Sequence, residues 1–164
     1  MLVKEVMKIK VVTLDPEMTC REAAEVLLQH KISGAPVVDT RGKLLGVISE
    51  KDLFRAIYPN YREFHEGEGA YLDFEKLEQE AKGAGDKKIS EVMSSRLIVA
   101  APDTPILQIG AQMIASGIHR VPVVDNGKLV GMVSRRDIYG RILNNYFGLW
   151  EGLEKYEKRT HESR

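Results

Sequence analysis

Apolar positions in this chain fall into two kinds of run, and the two kinds follow each other in the same order twice. Val121–Val124 and Leu129–Val133 are apolar without polar alternation, and Asp125-Asn126-Gly127 separates them. Two such runs across Asn-Gly predict a β-hairpin, and the lack of alternation predicts strands covered on both faces. Ser33–Leu53 repeats the arrangement around Asp39-Thr40-Arg41-Gly42. The other kind of run has helical spacing. Ala23, Ala24, Leu27 and Leu28 follow the capping box Thr19-Cys20-Arg21-Glu22, and this helix is predicted to stop near Ile32-Ser33-Gly34, where glycine ends helices cheaply. Ile106–Ser116 follows Asp103-Thr104-Pro105, with proline where its missing N–H costs nothing. Shorter helices are predicted at Lys51–Ile57 and Asp137–Leu143. Val11–Leu14 and Arg96–Ala100 are predicted to be short strands, the first ended by Asp15-Pro16.

The order recurs because the chain is a duplication. Pro36-Val37-Val38-Asp39 matches Pro122-Val123-Val124-Asp125, and Ser49-x-x-Asp52 matches Ser134-x-x-Asp137. The opening turn Val3–Met7 (VKEVM) matches Ile89–Met93 (ISEVM). Pro122 lies 86 residues after Pro36, and Ser134 lies 85 after Ser49. The one-residue change falls at the hairpin turn, where a true repeat tolerates it. The boundaries expected are 1–58 for the first repeat, 59–88 for an insertion, 89–143 for the second repeat and 144–164 for a tail. In the insertion, Tyr58–Ala70 is polar and predicted to be a loop, and Tyr71–Lys82 has helical spacing until Gly83-Ala84-Gly85 breaks it. The tail sets Tyr146, Phe147, Leu149, Trp150, Leu153 and Tyr156 among charges, which predicts an amphipathic helix frayed from Lys158 onward.

Composition narrows the function classes. With 164 residues and 43% hydrophobic content, the chain suits one domain or two small halves sharing a core. Its 24 basic and 24 acidic residues cancel, so overall charge favours neither nucleic acid nor an anionic membrane. No apolar run approaches the roughly 18 residues of a membrane span, and the N-terminus lacks a signal-peptide core. Cys20 is the single cysteine, which excludes an intrachain disulfide and points to a reducing compartment, so a cytoplasmic protein is expected.

A repeat of strand–helix–strand–strand–helix, with P-V-V-D on its second strand and G-h-h-S-x-x-D after its third, resembles the cystathionine-β-synthase (CBS) domain. Two copies resemble a CBS pair, the Bateman module, over residues 3–58 and 89–143. The fold class expected is α/β (α+β): two β-α-β-β-α repeats packed with pseudo-twofold symmetry, plus an inserted helix and a C-terminal helix. The resemblance implies a regulatory unit without chemistry of its own. It implies an adenosyl ligand between the repeats, whether AMP, ADP, ATP, S-adenosylmethionine or NAD. It also implies a homodimer and an unidentified target protein.

Each S-x-x-D has two readings, which can hold together. It is a capping box ahead of an apolar helix, and its aspartate can accept from a ribose diol while the serine and free backbone amides meet a phosphate. By the resemblance, one cleft combines Ser49 and Asp52 with Ile98, His119, Arg120 and Pro122. The other combines Ser134 and Asp137 with Val12, Ser33, Gly34 and Pro36. His119 and Arg120 stand where Ser33 and Gly34 stand in the first copy. The first cleft is therefore expected to suit a phosphorylated ligand, and the second a less charged adenosine or nothing. Lys51, Arg135 and Arg136, inside the spacers, are surface charges that can assist phosphates. His65-Glu66-Gly67-Glu68 matches no established zinc spacing, and Cys20 is expected to be inert. No nucleophile–base pair or cofactor motif stands out, so an enzyme is not expected. The competing reading is a constitutive interaction module with empty clefts, whose working surfaces are the inserted helix and the tail.

Overall fold

The structure, a computed structural model, describes residues 1–58 and 74–148. Its regular elements are α1 (Cys20–Gln29), β1 (Gly34–Val38), β2 (Leu44–Ser49), α2 (Glu50–Ile57), α3 (Phe74–Glu80), α4 (Ile89–Val92), α5 (Ile106–Ser116), β3 (Arg120–Asp125), β4 (Lys128–Ser134) and α6 (Arg135–Phe147). Single 3₁₀ turns cover Val3–Glu5 and Ala81–Asp86. The strands form two separate two-stranded sheets, β1–β2 and β3–β4. This is the mixed helix–strand fold the pattern predicts. The loop expected before Tyr71 and the aromatic tail beyond Gly148 lie outside the described residues.

The hairpins follow their turn chemistry. Asn126 and Gly127 both take positive φ, 46° and 78°, as the two-residue turn matching strand twist requires. In the first copy the turn is one residue longer, Gly42 alone has positive φ, and the β1–β2 register shifts between Val37 and Val38. β1 is buried from Gly34 through Val37, and Val121, Pro122 and Val123 of β3 are buried together, so alternation is missing because both faces are covered.

Two predicted strands shrink to single bridges. Leu14 N–H donates to Pro36 O at 3.0 Å, and Leu14 O accepts from Val38 N–H at 3.0 Å. Extending this parallel ladder one step back needs an amide N–H at position 36, and one step forward needs one at position 16. Both are proline, which has none to give. The second copy is stopped the same way: Ala100 bonds to Pro122 O at 2.9 Å and to Val124 N at 2.8 Å, with Pro102 and Pro122 blocking either side. Val11–Leu14 and Arg96–Ala100 are thus extended segments, each tied at one residue.

α1 also ends before the predicted glycine. Lys31 takes the left-handed conformation (φ 52°). Ile32 N–H bonds Leu27 O at 3.0 Å, and Lys31 N–H bonds Leu28 O at 3.1 Å. This is the Schellman pattern, and Ile32 packs against the core that holds Leu27. Hydrophobic closure outweighs the missing glycine. At its other end Glu22 closes the capping box, accepting from Thr19 N–H at 2.7 Å. That amide, and then the Thr19 hydroxyl, hold the Glu22 carboxyl below its ordinary 4.5. A depressed carboxylate stabilises above the unfolded value, and its contribution is lost as pH falls through the folded one. Glu22→Gln is therefore expected to lower stability at neutral pH by an amount that vanishes in acid. Urea unfolding of both proteins across pH checks it, and a difference independent of pH would contradict it.

The chain divides into two compact units that do not coincide with the two halves of the sequence. The N-repeat unit is Val11–Leu97 with Gly127–Leu129, and the C-repeat unit is Met1–Lys10, Ile98–Asn126 and the chain from Val130 onward. The two matched opening turns have exchanged places. Val3, fully buried, belongs to the core of Ile106, Ile109, Met113, Val121, Val123, Val133 and Ile138. Ile89, fully buried, belongs to the core of Leu14, Ala23, Leu27, Ala35, Val37 and Ile48. Backbone pairs fix both guests: Lys8 and Met132 exchange hydrogen bonds at 2.9 and 3.0 Å, as Ser94 and Val47 do at 3.0 Å each. Gly131 and Gly46 make room for the methionines that arrive with them. A Cβ at Gly131 would stand 2.8 Å from Met7 Sδ and 3.1 Å from Lys8 O, and one at Gly46 would strike Met93 Sδ.

α6 runs from Arg135 to Phe147 and is closed by Gly148 in the left-handed conformation, φ 64°. Asn144–Phe147, read from sequence as the start of a separate tail helix, are its last turn. The rest of the helix expected across 144–164 lies outside the described residues. In the insertion, α3 occupies part of the predicted helical stretch and gives way to the 3₁₀ turn before Gly83.

Candidate functional site

Each unit carries one S-x-x-D at the junction of a strand and a helix, built alike. Ser49 ends β2 and caps α2: Ser49 N–H and Oγ–H donate to Asp52 Oδ2 at 2.9 and 2.5 Å, and Asp52 N–H donates to Ser49 Oγ at 3.3 Å. Ser134 ends β4 and caps α6 with Asp137 Oδ2 at 2.9 and 2.6 Å and the return bond at 3.3 Å. The capping reading holds at both. The loop before the preceding hairpin is pinned to the first helical residue in each unit: Glu50 N–H to Ser33 O at 3.1 Å, and Arg135 N–H to His119 O at 2.7 Å. The loop residues the sequence singles out, Ser33 with Gly34 and His119 with Arg120, therefore stand beside the S-x-x-D of their own repeat.

What meets the second carboxylate oxygen differs between the copies. Asp52 Oδ1 accepts from Ser94 Oγ at 3.2 Å and lies 3.7 Å from the Arg55 guanidinium. Its side chain is 8% exposed. Asp137 Oδ1 has Lys8 Nζ at 3.9 Å, beyond hydrogen-bonding distance, with side-chain exposures of 72% for the lysine and 22% for the aspartate. Lys8 and Ser94 are the same position in the two repeats, one residue past the matched methionines. The buried Asp52 spends both oxygens on the protein; the half-buried Asp137 keeps Oδ1 turned to an exposed lysine. A hydrogen bond to a charged group contributes about 1.5–3 kcal/mol, whereas an exposed ion pair contributes about 0–1 kcal/mol, so Lys8 is held at Asp137 far more weakly than Ser94 at Asp52.

His119 is exposed and Arg120 half-buried. Arg135 NH1 is 3.2 Å from His119 Nε2. Lys8, His119, Arg120, Arg135 and Arg136 all belong to the C-repeat unit, as Asp137 does, and of these Lys8 faces its carboxylate at 3.9 Å. The sequence-predicted residues divide cleanly. Val12, Ser33, Gly34, Pro36, Ser49 and Asp52 lie in the N-repeat unit, and Ile98, His119, Arg120, Pro122, Ser134 and Asp137 in the other. Pro36 and Pro122 are buried and supply the carbonyls that tie Leu14 and Ala100. Lys8, Ser94 and Arg55 were missed by sequence reading; carrying the match of Val3–Met7 with Ile89–Met93 one residue further would have found the first two. Cys20 is buried, which pushes its thiol up and fits inertness. His65–Glu68 lies outside the described residues.

The sequence matches the CBS domain family over residues 3–59 and 89–144, and the chain belongs to that family as a tandem pair. It is 33% identical over 150 residues to the uncharacterized protein MJ1426 of Methanocaldococcus jannaschii, spanning 84% of this chain and 89% of that one. The fold resembles the crystal structure of the CBS domain pair of protein MJ0100 in complex with 5′-methylthioadenosine and S-adenosyl-L-methionine. That likeness has a TM-score of 0.67 at 29% identity and covers 87% of this chain and 99% of that one. It also resembles CBSX2 in complex with AMP, with a TM-score of 0.67 at 25% identity, over 88% of this chain and 98% of that one. Among the described residues no helix is long and apolar enough to cross a membrane.

Proposed function

We propose that this CBS pair is a regulatory module that binds an adenosyl compound and, by favouring one arrangement of its repeats, alters what a target protein recognises. The observation that carries this is the Ser134–Asp137 half-site. Its carboxylate is held through Oδ2 while, among the described residues, Oδ1 faces Lys8 at 3.9 Å. A cis-diol can take that oxygen, and the neighbouring cations suit a phosphate. Relatives solved with AMP or with S-adenosylmethionine and methylthioadenosine support the ligand class. Ligand control then is a population shift, which requires the compound to prefer one arrangement.

The sequence ranks the Asp52 cleft first for a phosphorylated ligand. Our proposal reverses that order, because Asp52 is 8% exposed and spends both oxygens on the protein. Cytoplasmic, homodimeric action on a protein target belongs to the same proposal. Exposed Ile114 of α5 and Tyr146 and Phe147 of α6 support self-association. Calorimetric titration of ligand-stripped protein with AMP, ATP, S-adenosylmethionine and NAD tests it, with light scattering on the same samples reading the dimer. Saturable binding of one compound is expected. Flat traces with all four would overturn the sensor reading and favour the constitutive module.

A further inference from the structure

The internal duplication supplies its own control, since the residue that arrives from the matched opening turn differs between two equivalent caps. Serine stands there opposite Asp52 and closes that carboxylate with a hydroxyl, a neutral donor, at 3.2 Å. Lysine faces Asp137 and stands off at 3.9 Å, its side chain 72% exposed. The lysine is placed by backbone, not by its own charge: Lys8 N–H and O both bond Met132, at 2.9 and 3.0 Å. Its ammonium is therefore free to swing on a four-carbon stem about a fixed root.

We infer that Lys8 sets the charge class of ligand at the Asp137 half-site, releasing the carboxylate to a ligand hydroxyl and taking the ligand's anionic group itself, so that a nucleoside monophosphate is preferred over the uncharged nucleoside. This rests on the reading of Asp137 as a ligand residue given above and adds the residue that chooses among adenosyl compounds. The physics is an exchange of partners. In the free protein the ammonium and carboxylate lie near each other without a hydrogen bond; with a monophosphate bound, each gains a closer partner of the right kind, hydroxyl on carboxylate and phosphate on ammonium. With an uncharged nucleoside the carboxylate gains and the ammonium does not. At the other cap the facing serine carries no charge to offer, and the cation beside Asp52, Arg55 at 3.7 Å, lies on the capped helix itself next to a carboxylate that is 8% exposed.

The test compares AMP with adenosine by calorimetry on the full chain, for the wild type and for Lys8→Ala, Lys8→Arg and Lys10→Ala. The wild type is expected to favour AMP. Lys8→Ala removes the ammonium without supplying the hydroxyl by which Ser94 closes Asp52, keeps the backbone bonds to Met132, and is expected to lose about tenfold in AMP affinity and less than about twofold in adenosine affinity. Its AMP binding should also depend less on salt. Lys8→Arg keeps the preference, and Lys10→Ala, which removes one charge two residues away, leaves it intact. Equal losses for AMP and adenosine in Lys8→Ala would assign the residue a structural role and overturn the inference. A wild type that binds neither compound overturns the reading of the site, and the inference with it; a wild type that binds both with an unmoved ratio in Lys8→Ala overturns the inference alone.

Discussion

Ile89→Ala is expected to loosen the N-repeat unit although Ile89 opens the second repeat in sequence. Ile89 is fully buried among Leu14, Cys20, Ala23, Leu27, Ala35, Val37 and Ile48, and its amide bonds Met18 O at 2.9 Å. Removing three carbons from such a site destabilises by about 2–5 kcal/mol, the spread reflecting how far the cavity collapses. The loss is local in kind. Hydrogen exchange should quicken in α1, β1 and β2, while α5, β3 and β4, whose core contains Val3 and not Ile89, keep their protection. Val3→Ala is the mirror experiment and should loosen the other set. Val is smaller than Ile, so the effect there is smaller. If Ile89→Ala instead released α5 and the β3–β4 sheet first, the exchange of opening turns would be wrong.

That exchange marks the boundary of what the sequence makes legible. The duplication, the hairpins and the three capping boxes are short-range chemistry. Asn126-Gly127 demands its turn, and Thr19, Ser49 and Ser134 each find a carboxylate three residues on. VKEVM and ISEVM carry nearly the same apolar spacing, so neither pattern says which of two similar cores will take it. Glycines at 46 and 131 were visible, but their meaning depends on Met93 and Met7 arriving from far along the chain. The shortened first strands were legible in principle: prolines 16, 36, 102 and 122 stand in the sequence, and only the parallel pairing shows that each removes a needed donor. At the site, both aspartates could be named from sequence. Their inequality could not, because it turns on Ser94 and Lys8, which meet the carboxylates across 42 and 129 residues from loops without periodicity.

That inequality yields the second large effect, a division of labour between two residues that look identical in sequence. Asp137→Ala is expected to weaken adenosyl binding by about one to two decades, the 1.5–3 kcal/mol of a hydrogen bond to a charged group. Its stability loss should be confined to a missing cap, about 0.5–2 kcal/mol. Asp52→Ala is expected to do the reverse. It strips a nearly buried carboxylate from Ser49 N–H, Ser49 Oγ and Ser94 Oγ and leaves the amide among them without its partner. The cost of orphaned buried donors adds to that of the cap, about 3 kcal/mol in all. Affinity in the folded fraction should stay within about twofold. Calorimetry and urea unfolding on the two variants separate these outcomes. Should Asp52→Ala abolish binding while Asp137→Ala leaves it whole, the half-sites have been assigned the wrong way round, and the saturated carboxylate must open to ligand at the expense of Ser94. Equal binding losses would mean that one ligand needs both aspartates, which a single stoichiometric site in the wild type would corroborate.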